Sequence, residues 1–233
     1  MTTFLLVHGG GHRGWHWNRL QPVLEGLGHQ TVAPDVPMDV AGAGARDWAA
    51  AALDALAEVD HQDDVILVAH SLAGLAAPVI ASSLELRRMI FLCANVPVLG
   101  ISYQDYLAEN PDAVIMPPVV LDDEGRLELE WPEARALYYG DCDEALAREA
   151  WEHLVPSAAL TAFTEVCPLN AWPEVPSTYI LCQEDRIIGP DWSRRVSIER
   201  FGRPALELLG SHSPMLSRPE SLGQLLDDLV DGT

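Results

Sequence analysis

The sequence predicts an α/β fold: a doubly wound, mostly parallel sheet of about six strands, with helices on both faces and a cap inserted over one edge. Three observations predict it. The run Val65-Ile66-Leu67-Val68 passes through Ala69-His70-Ser71-Leu72-Ala73-Gly74 into a helix-forming segment reaching Leu86. An apolar run of this length, bounded by small residues, reads as a strand buried on both faces of a parallel sheet. Strand-like runs alternate with helical segments up to residue 95 and again from 177, the spacing of βαβ units. Between them the alternation stops, and prolines and acidic residues become frequent.

Taken in order, Phe4-Leu5-Leu6-Val7-His8 is the first strand, broken by Gly9-Gly10-Gly11, with a helix from about Gly14 to Leu27. Gln30 to Pro37 is the second strand. Gly42 and Gly44 precede an alanine-rich helix from about Arg46 to Val59. The strand beginning at Val65 and its helix follow, and Arg88 to Ala94 is the fourth strand. Residues 96–176 are too many for a structureless connection. Val119 to Leu129 reads as a hairpin turning at Asp122-Asp123-Glu124-Gly125, and Asp143 to about Leu154 as a helix. The segment is therefore expected to form a cap subdomain over the strand ends where open α/β sheets bind ligands. The core is then divided into 1–95 and 177–233. The cap aromatics (Tyr103, Tyr106, Trp131, Tyr138, Tyr139, Trp151, Phe163 and Trp172) divide between cap core and pocket wall. Thr178 to Cys182 is a strand, Asp191 to Arg200 a helix, Ala205 to Leu209 the last strand, and Arg218 to Val230 the closing helix.

A chain of 233 residues with 48% apolar side chains can bury one sizeable core carrying an insertion. Its net charge is −21, and all fourteen basic residues are arginine. Such a charge repels nucleic acid and anionic membrane surfaces. The absence of lysine excludes a Schiff-base enzyme and a P-loop. Cys93, Cys142, Cys167 and Cys182 form no CxxC pair, so neither a zinc knuckle nor a redox motif is indicated. The chain enters a strand directly after Met1-Thr2-Thr3 without a basic leader, and no apolar run is long enough to span a bilayer. These features predict a reduced, cytoplasmic protein. Its expected partner is a small molecule, and a homodimer is compatible with the sequence.

Chemistry concentrates at three loops. Ala69-His70-Ser71-Leu72-Ala73 matches Gly-x-Ser-x-Gly with alanines at the glycine positions, the tight strand-to-helix turn that exposes a nucleophilic serine. The plain alternative is a junction in which Ser71 only caps the helix. A serine hydroxyl needs a neighbouring base, and the base an orienting acid. Asp185 and His212 each follow a strand, so a parallel sheet brings them to the same edge as Ser71. Glu184 and Asp191 are less well placed for the acid, and Asn95 would orient a histidine only poorly. His8-Gly9-Gly10-Gly11 reads as a loop turning a backbone N–H towards an oxyanion. The same stretch, Gly9 to Gly14 with Asp35 beyond it, also matches the G-x-G-x-x-G dinucleotide fingerprint. His8, His12 and His16 recur at every fourth position as helical metal ligands would, but three consecutive glycines argue against a helix there. Gly9, His12 and His70 are the candidate substrate contacts. No cofactor and no metal is required by this arrangement.

The order Ser71, Asp185, His212 and the motifs around them resemble the α/β-hydrolase superfamily, nearest to its branch of methylsalicylate-type esterases and hydroxynitrile lyases with related small bacterial esterases. The opening His8-Gly9-Gly10-Gly11-His12-Arg13-Gly14-Trp15-His16-Trp17 is similar to that branch's H-G-x-x-H-G-x-W-x-W. Ala69 to Gly74 resembles its elbow, and Gln183-Glu184-Asp185 with Gly210-Ser211-His212 its acid and base. The resemblance implies a Ser71–His212–Asp185 triad with the N–H groups of Gly10 and Leu72 as oxyanion donors. Lyases of the branch share a threonine beside the first residue of the oxyanion loop and a lysine directly after the catalytic histidine. The corresponding residues here are Gly9 and Ser213. With no cation to stabilise a departing cyanide, the resemblance implies hydrolysis of a small neutral or apolar ester or lactone. Lyase or tailoring chemistry on the same scaffold is the alternative, and a dinucleotide-dependent oxidoreductase the more distant one.

Overall fold

In a computed structural model, which describes residues 1–60, 64–115, 120–158 and 160–231, the chain alternates strands and helices as far as residue 92. β1 (Thr3–Val7) leads through a 3-10 turn (Gly14–Trp17) to α1 (Gln21–Gly26), then β2 (Gln30–Val32), α2 (Ala45–Ala57) and β3 (Val65–His70). A second 3-10 turn (Ser71–Leu75) runs into α3 (Ala77–Ala81), and β4 (Arg88–Leu92) follows. Between β4 and the next core strand lie α4 (Tyr103–Glu109), a small hairpin of β5 (Val120–Leu121) and β6 (Leu127–Glu128), α5 (Trp131–Leu137), α6 (Glu144–Glu152) and α7 (Leu160–Thr164). The core resumes with β7 (Ser177–Cys182), α8 (Pro190–Phe201), β8 (Leu206–Leu208), α9 (Pro214–Ser217) and α10 (Pro219–Asp231). Among the described residues no helix is long and apolar enough to cross a membrane.

The six core strands pair in the order β2-β1-β3-β4-β7-β8, and every ladder is parallel. Parallel strands must be covered on both faces, and side chains alternate between faces along each strand. Leu5, Val7, Leu67, Ala69, Phe91, Tyr179 and Leu181 accordingly meet Trp48 of α2, Ile80 of α3 and Trp192 of α8. The intervening Phe4, Leu6, Ile66, Val68, Ile90, Leu92 and Ile180 meet Leu24 of α1 and Leu222 and Leu226 of α10. The strand order reverses between β1 and β3, so the loops after these two strands diverge and leave a crevice at their carboxyl ends.

Several elements are shorter than the sequence predicts, and proline stands at three of the breaks. The helix expected over 14–27 splits into the 3-10 turn and α1, with Pro22 in the first turn of α1. The helix after β3 likewise divides at Pro78. β2 leaves the ladder after Val32, before Pro34 and Pro37, which have no N–H to donate. Within the insertion, Asp143 caps α6 by accepting the Leu146 N–H at 2.8 Å. The hairpin pairs Val120 with Glu128 and Leu121 with Leu127; Val119, its expected first residue, lies outside the described residues. The short helices α4, α5 and α7 carry no pattern long enough to have been read from periodicity.

One close approach secures the sheet edge. A methyl group on Gly74 would run into the backbone carbonyl of Asn95, so the turn after β3 and the loop after β4 can lie this close only with hydrogen at that position. Gly26, by contrast, has open space around it. Gly74→Ala should lower the thermal unfolding midpoint by the equivalent of at least about 1–3 kcal/mol, whereas Gly26→Ala should leave it unchanged or raise it slightly. Equal midpoints for the two variants would contradict this packing.

Candidate active site

β3 delivers Ser71 into a turn so tight that its φ is 54°, in the left-handed region that costs a non-glycine residue roughly 1–3 kcal/mol. Neighbours hold it there. Ala69 and Ala73 are fully buried on either side, and the Asn95 N–H donates to the Ser71 carbonyl at 3.0 Å. Across from it, a Cβ on Gly9 would lie 2.6 Å from the Ser71 Cβ. The Ser71 hydroxyl does not cap the helix; Oγ lies 3.0 Å from His212 Nε2.

His212 stands in the loop after β8. Its Nδ1–H faces both oxygens of Asp185, at 2.9 and 3.0 Å. Asp185, in the loop after β7, also accepts the N–H groups of Ile187 and Ile188 on Oδ1 at 2.8 and 3.0 Å. The ring of His212 is wholly buried and Asp185 is 6% exposed. The loop that carries the imidazole is gripped from three sides. His70 Nε2–H donates to the His212 carbonyl at 2.9 Å. Ser211 Oγ donates to Asp141 Oδ1, and Arg218 Nε donates to the other oxygen of the same carboxylate at 3.0 Å. Burial pushes the Asp141 carboxyl up, but the hydrogen bonds from Ser211 and the charge of Arg218 outweigh it and hold the group below its usual range. Tyr138, from the insertion, lies nearly parallel to the imidazole with ring centres 5.6 Å apart.

Ser71 opens onto a cavity of about 380 Å³ walled mainly by Leu72, Leu129, Tyr138, Trp151, Phe163 and Ile188. Gly10 lines the same cavity, and a side chain on it would crowd Leu72 and Ser157. Leu72 is the second residue of its 3-10 turn, and the first N–H groups of such a turn have no partner within it. The insertion thus contributes Tyr138, Trp151 and Phe163 of its aromatics to the wall, whereas Tyr103 and Tyr139 are buried away from it. Sequence reasoning missed Ser157, whose hydroxyl faces the cavity, and Asp141, which grips the histidine loop; no motif marks either. It weighed Asn95 only as an orienting group, yet this residue lines the cavity.

One set of candidate contacts lies away from the cavity, and two alternative readings lack their geometry. Gly9, His12 and His70 do not reach the cavity: all three are buried behind it. Gly9 is occupied with clearing space for Ser71. His12 Nδ1–H donates to the Gly10 carbonyl at 3.0 Å, and its ring packs edge-on against His16, His70 and Tyr138. The dinucleotide geometry is absent too. Asp35 accepts the Gly14 N–H at 2.7 Å instead of facing a ribose, and a four-residue 3-10 turn stands where a phosphate-binding helix would begin. The histidine triplet is engaged with backbone. His8 bonds the Gly9 carbonyl and the Val36 N–H at 2.9 Å each, and His16 the Arg13 N–H and Ala150 carbonyl at 3.1 and 3.2 Å. Among the described residues no three His, Cys, Asp or Glu side chains are grouped to hold a metal ion.

Comparison with known proteins bears on this geometry. A model described as the alpha/beta hydrolase family matches residues 4–224. Methylesterase 7 of Arabidopsis thaliana is 28% identical, over 98% of this chain and 96% of its own length. Norfluorocurarine synthase 2 of a Strychnos species is 26% identical, over 98% of this chain and 95% of its own. The crystal structure of polyneuridine aldehyde esterase superposes with a TM-score of 0.80 at 21% identity, covering 99% of this chain and all of the other, a likeness of fold alone.

Burial gives the site a pH signature. It pushes His8 and His16 down from 6.5 to about 4, and drives His12 and His70 well below their ordinary value. Between pH 6.5 and 4 the unfolded chain therefore binds more protons than the folded one, so this contribution is whole above pH 6.5 and is lost as pH falls through 4. For His8 and His16 the depression to about 4 corresponds to about 3 kcal/mol each. Urea midpoints should fall steadily from pH 7 to pH 5, above the range in which most carboxylates titrate; a flat profile there would contradict neutral buried histidines.

Proposed function

Because the chain belongs to the alpha/beta hydrolase family, we propose that it is a serine carboxylesterase acting on a small neutral or apolar ester or lactone. The observation that carries this reading is the unbroken chain Ser71 Oγ, His212, Asp185, at 3.0 and 2.9 Å, with its serine end in an apolar cavity. Ser71 attacks the ester carbonyl carbon as His212 Nε2 takes the hydroxyl proton. Asp185 keeps the proton on Nδ1 and stabilises the imidazolium. The N–H groups of Gly10 and Leu72 receive the oxyanion, each contributing about 3 kcal/mol to the lowered barrier. As the tetrahedral adduct collapses, Nε2 returns the proton to the departing alcohol. Water activated by the same nitrogen then releases the acid and restores Ser71.

Residues 96–176 act as the cap, closing the cavity over the serine through Tyr138, Trp151 and Phe163. The chemistry needs no cofactor. A net charge of −21 disfavours anionic substrates, and the composition suits a cytoplasmic protein. The relative named as a synthase supports a second reading, in which the same scaffold promotes a lyase or tailoring reaction. Against it stands residue 213, a fully buried serine where a lyase of the resembling branch has lysine.

Ser71→Ala should abolish turnover of p-nitrophenyl acetate while leaving the unfolding midpoint within about 1 kcal/mol of the parent, and a fluorophosphonate probe should label Ser71 alone. Asp185→Asn should lower kcat by about 10⁴-fold, as loss of the orienting carboxylate does in serine proteases. Undiminished turnover by Ser71→Ala would refute the assignment. Labelling without turnover on any of a broad panel of esters would favour the second reading.

A further inference from the structure

Asn95 is 3% exposed and lines the cavity beside Ser71. Its backbone is fixed on all sides. The N–H donates to the Ser71 carbonyl, and the carbonyl is pressed against Gly74. The preceding Ala94 is held at both polar atoms by the Tyr179 hydroxyl, at 2.9 and 2.7 Å. The side-chain Oδ1 is buried without a hydrogen-bond partner among the described residues. Native proteins rarely leave a buried acceptor unpaired, and one that persists calls for a ligand, a water or a functional role. The remaining polar side chains of the cavity are differently placed. Ser71 is engaged with His212, Ser157 lies beside Gly10, the Tyr138 ring covers the imidazole, and Glu128 and Glu152 are exposed. Asn95 is thus a buried polar group next to the nucleophile that the hydrolytic steps do not use.

We infer that Asn95 determines specificity by accepting a hydrogen bond from the substrate, so that the preferred esters carry a hydroxyl or N–H close to the scissile carbonyl on an otherwise apolar body. The inference rests on the ester-hydrolase reading and narrows its substrate class. A site that hydrogen-bonds a substrate group discriminates strongly against the analogue lacking it, because the protein group is then left unpaired.

Methyl mandelate and methyl phenylacetate share one apolar body and differ by a single hydroxyl. The parent protein should prefer the hydroxy ester in kcat/KM by about tenfold or more. The ratio should collapse towards one in Asn95→Leu and persist in Asn95→Asp, which keeps an acceptor in place. Should Asn95→Leu fail to fold, the parent's own ratio and that of Asn95→Asp decide. Should neither ester be turned over, protection of Ser71 from the fluorophosphonate by mandelamide relative to phenylacetamide supplies the same ratio. A ratio near one in the parent, as expected if a water satisfies the amide, overturns the inference, and so does a preference that survives Asn95→Leu. Fluorophosphonate labelling separates the two failures: a labelled protein without the preference loses only the role of Asn95, whereas an unlabelled, inactive one loses the esterase reading and the inference with it.

Discussion

The structure depends on a single crowded crossing, where β3 ends and Ser71 is held in the left-handed region between Gly9, Gly74 and the backbone of Asn95. A serine does not adopt this conformation unaided. It persists because the surrounding backbone leaves no room for relaxation, and that backbone lies in the turn after β3 and in the loops that leave β1 and β4, the two strands flanking β3. The parallel ladder therefore does more than bury apolar surface. It converts the packing of three adjacent strands into a fixed position for one hydroxyl oxygen.

The imidazole is placed by a different device. Its loop follows the edge strand β8, which pairs only with β7, so the ladder alone does not define it. Hydrogen bonds from His70, and from Ser211 and Arg218 through Asp141, fasten it instead. Asp141 belongs to the insertion while His70 ends β3, so the imidazole is suspended between the segment above the sheet and the sheet itself. Tyr138, three residues before Asp141, covers the imidazole and lines the cavity at once. One stretch of the insertion thereby touches both the imidazole and the cavity wall.

Behind the site lies a group of neutral histidines. The His12 ring packs on those of His16, His70, Tyr138 and Tyr139, and burial opposes charge on His8, His12, His16 and His70 alike. A polar yet uncharged backing of this kind holds the backbone after β1 in place through directed hydrogen bonds, as His8 and His12 do with the carbonyls of Gly9 and Gly10. It does so without placing a fixed charge beside the Ser71–His212 pair.

The alternation of strands and helices in the core, the turn at Ser71 and the loops bearing Asp185 and His212 were all legible in the amino-acid sequence, because each depends on local rules. Apolar runs between small residues are strands, small residues mark close crossings, and successive parallel strands end on one edge. What depends on contacts between distant segments was not legible. Nothing in the neighbourhood of Asp141 indicates that it meets Ser211 seventy residues later. The motifs containing His12 and His70 suggest contact with a ligand, yet both are buried: the His12 ring packs against Tyr138 and Tyr139, and the His70 ring against Trp17 and His212. Sequence by itself determined which side chains can react, since that follows from residue type and strand-end position. Only the tertiary structure decided which side chains face the cavity, because burial is set by whatever packs against a residue and not by its neighbours in the chain.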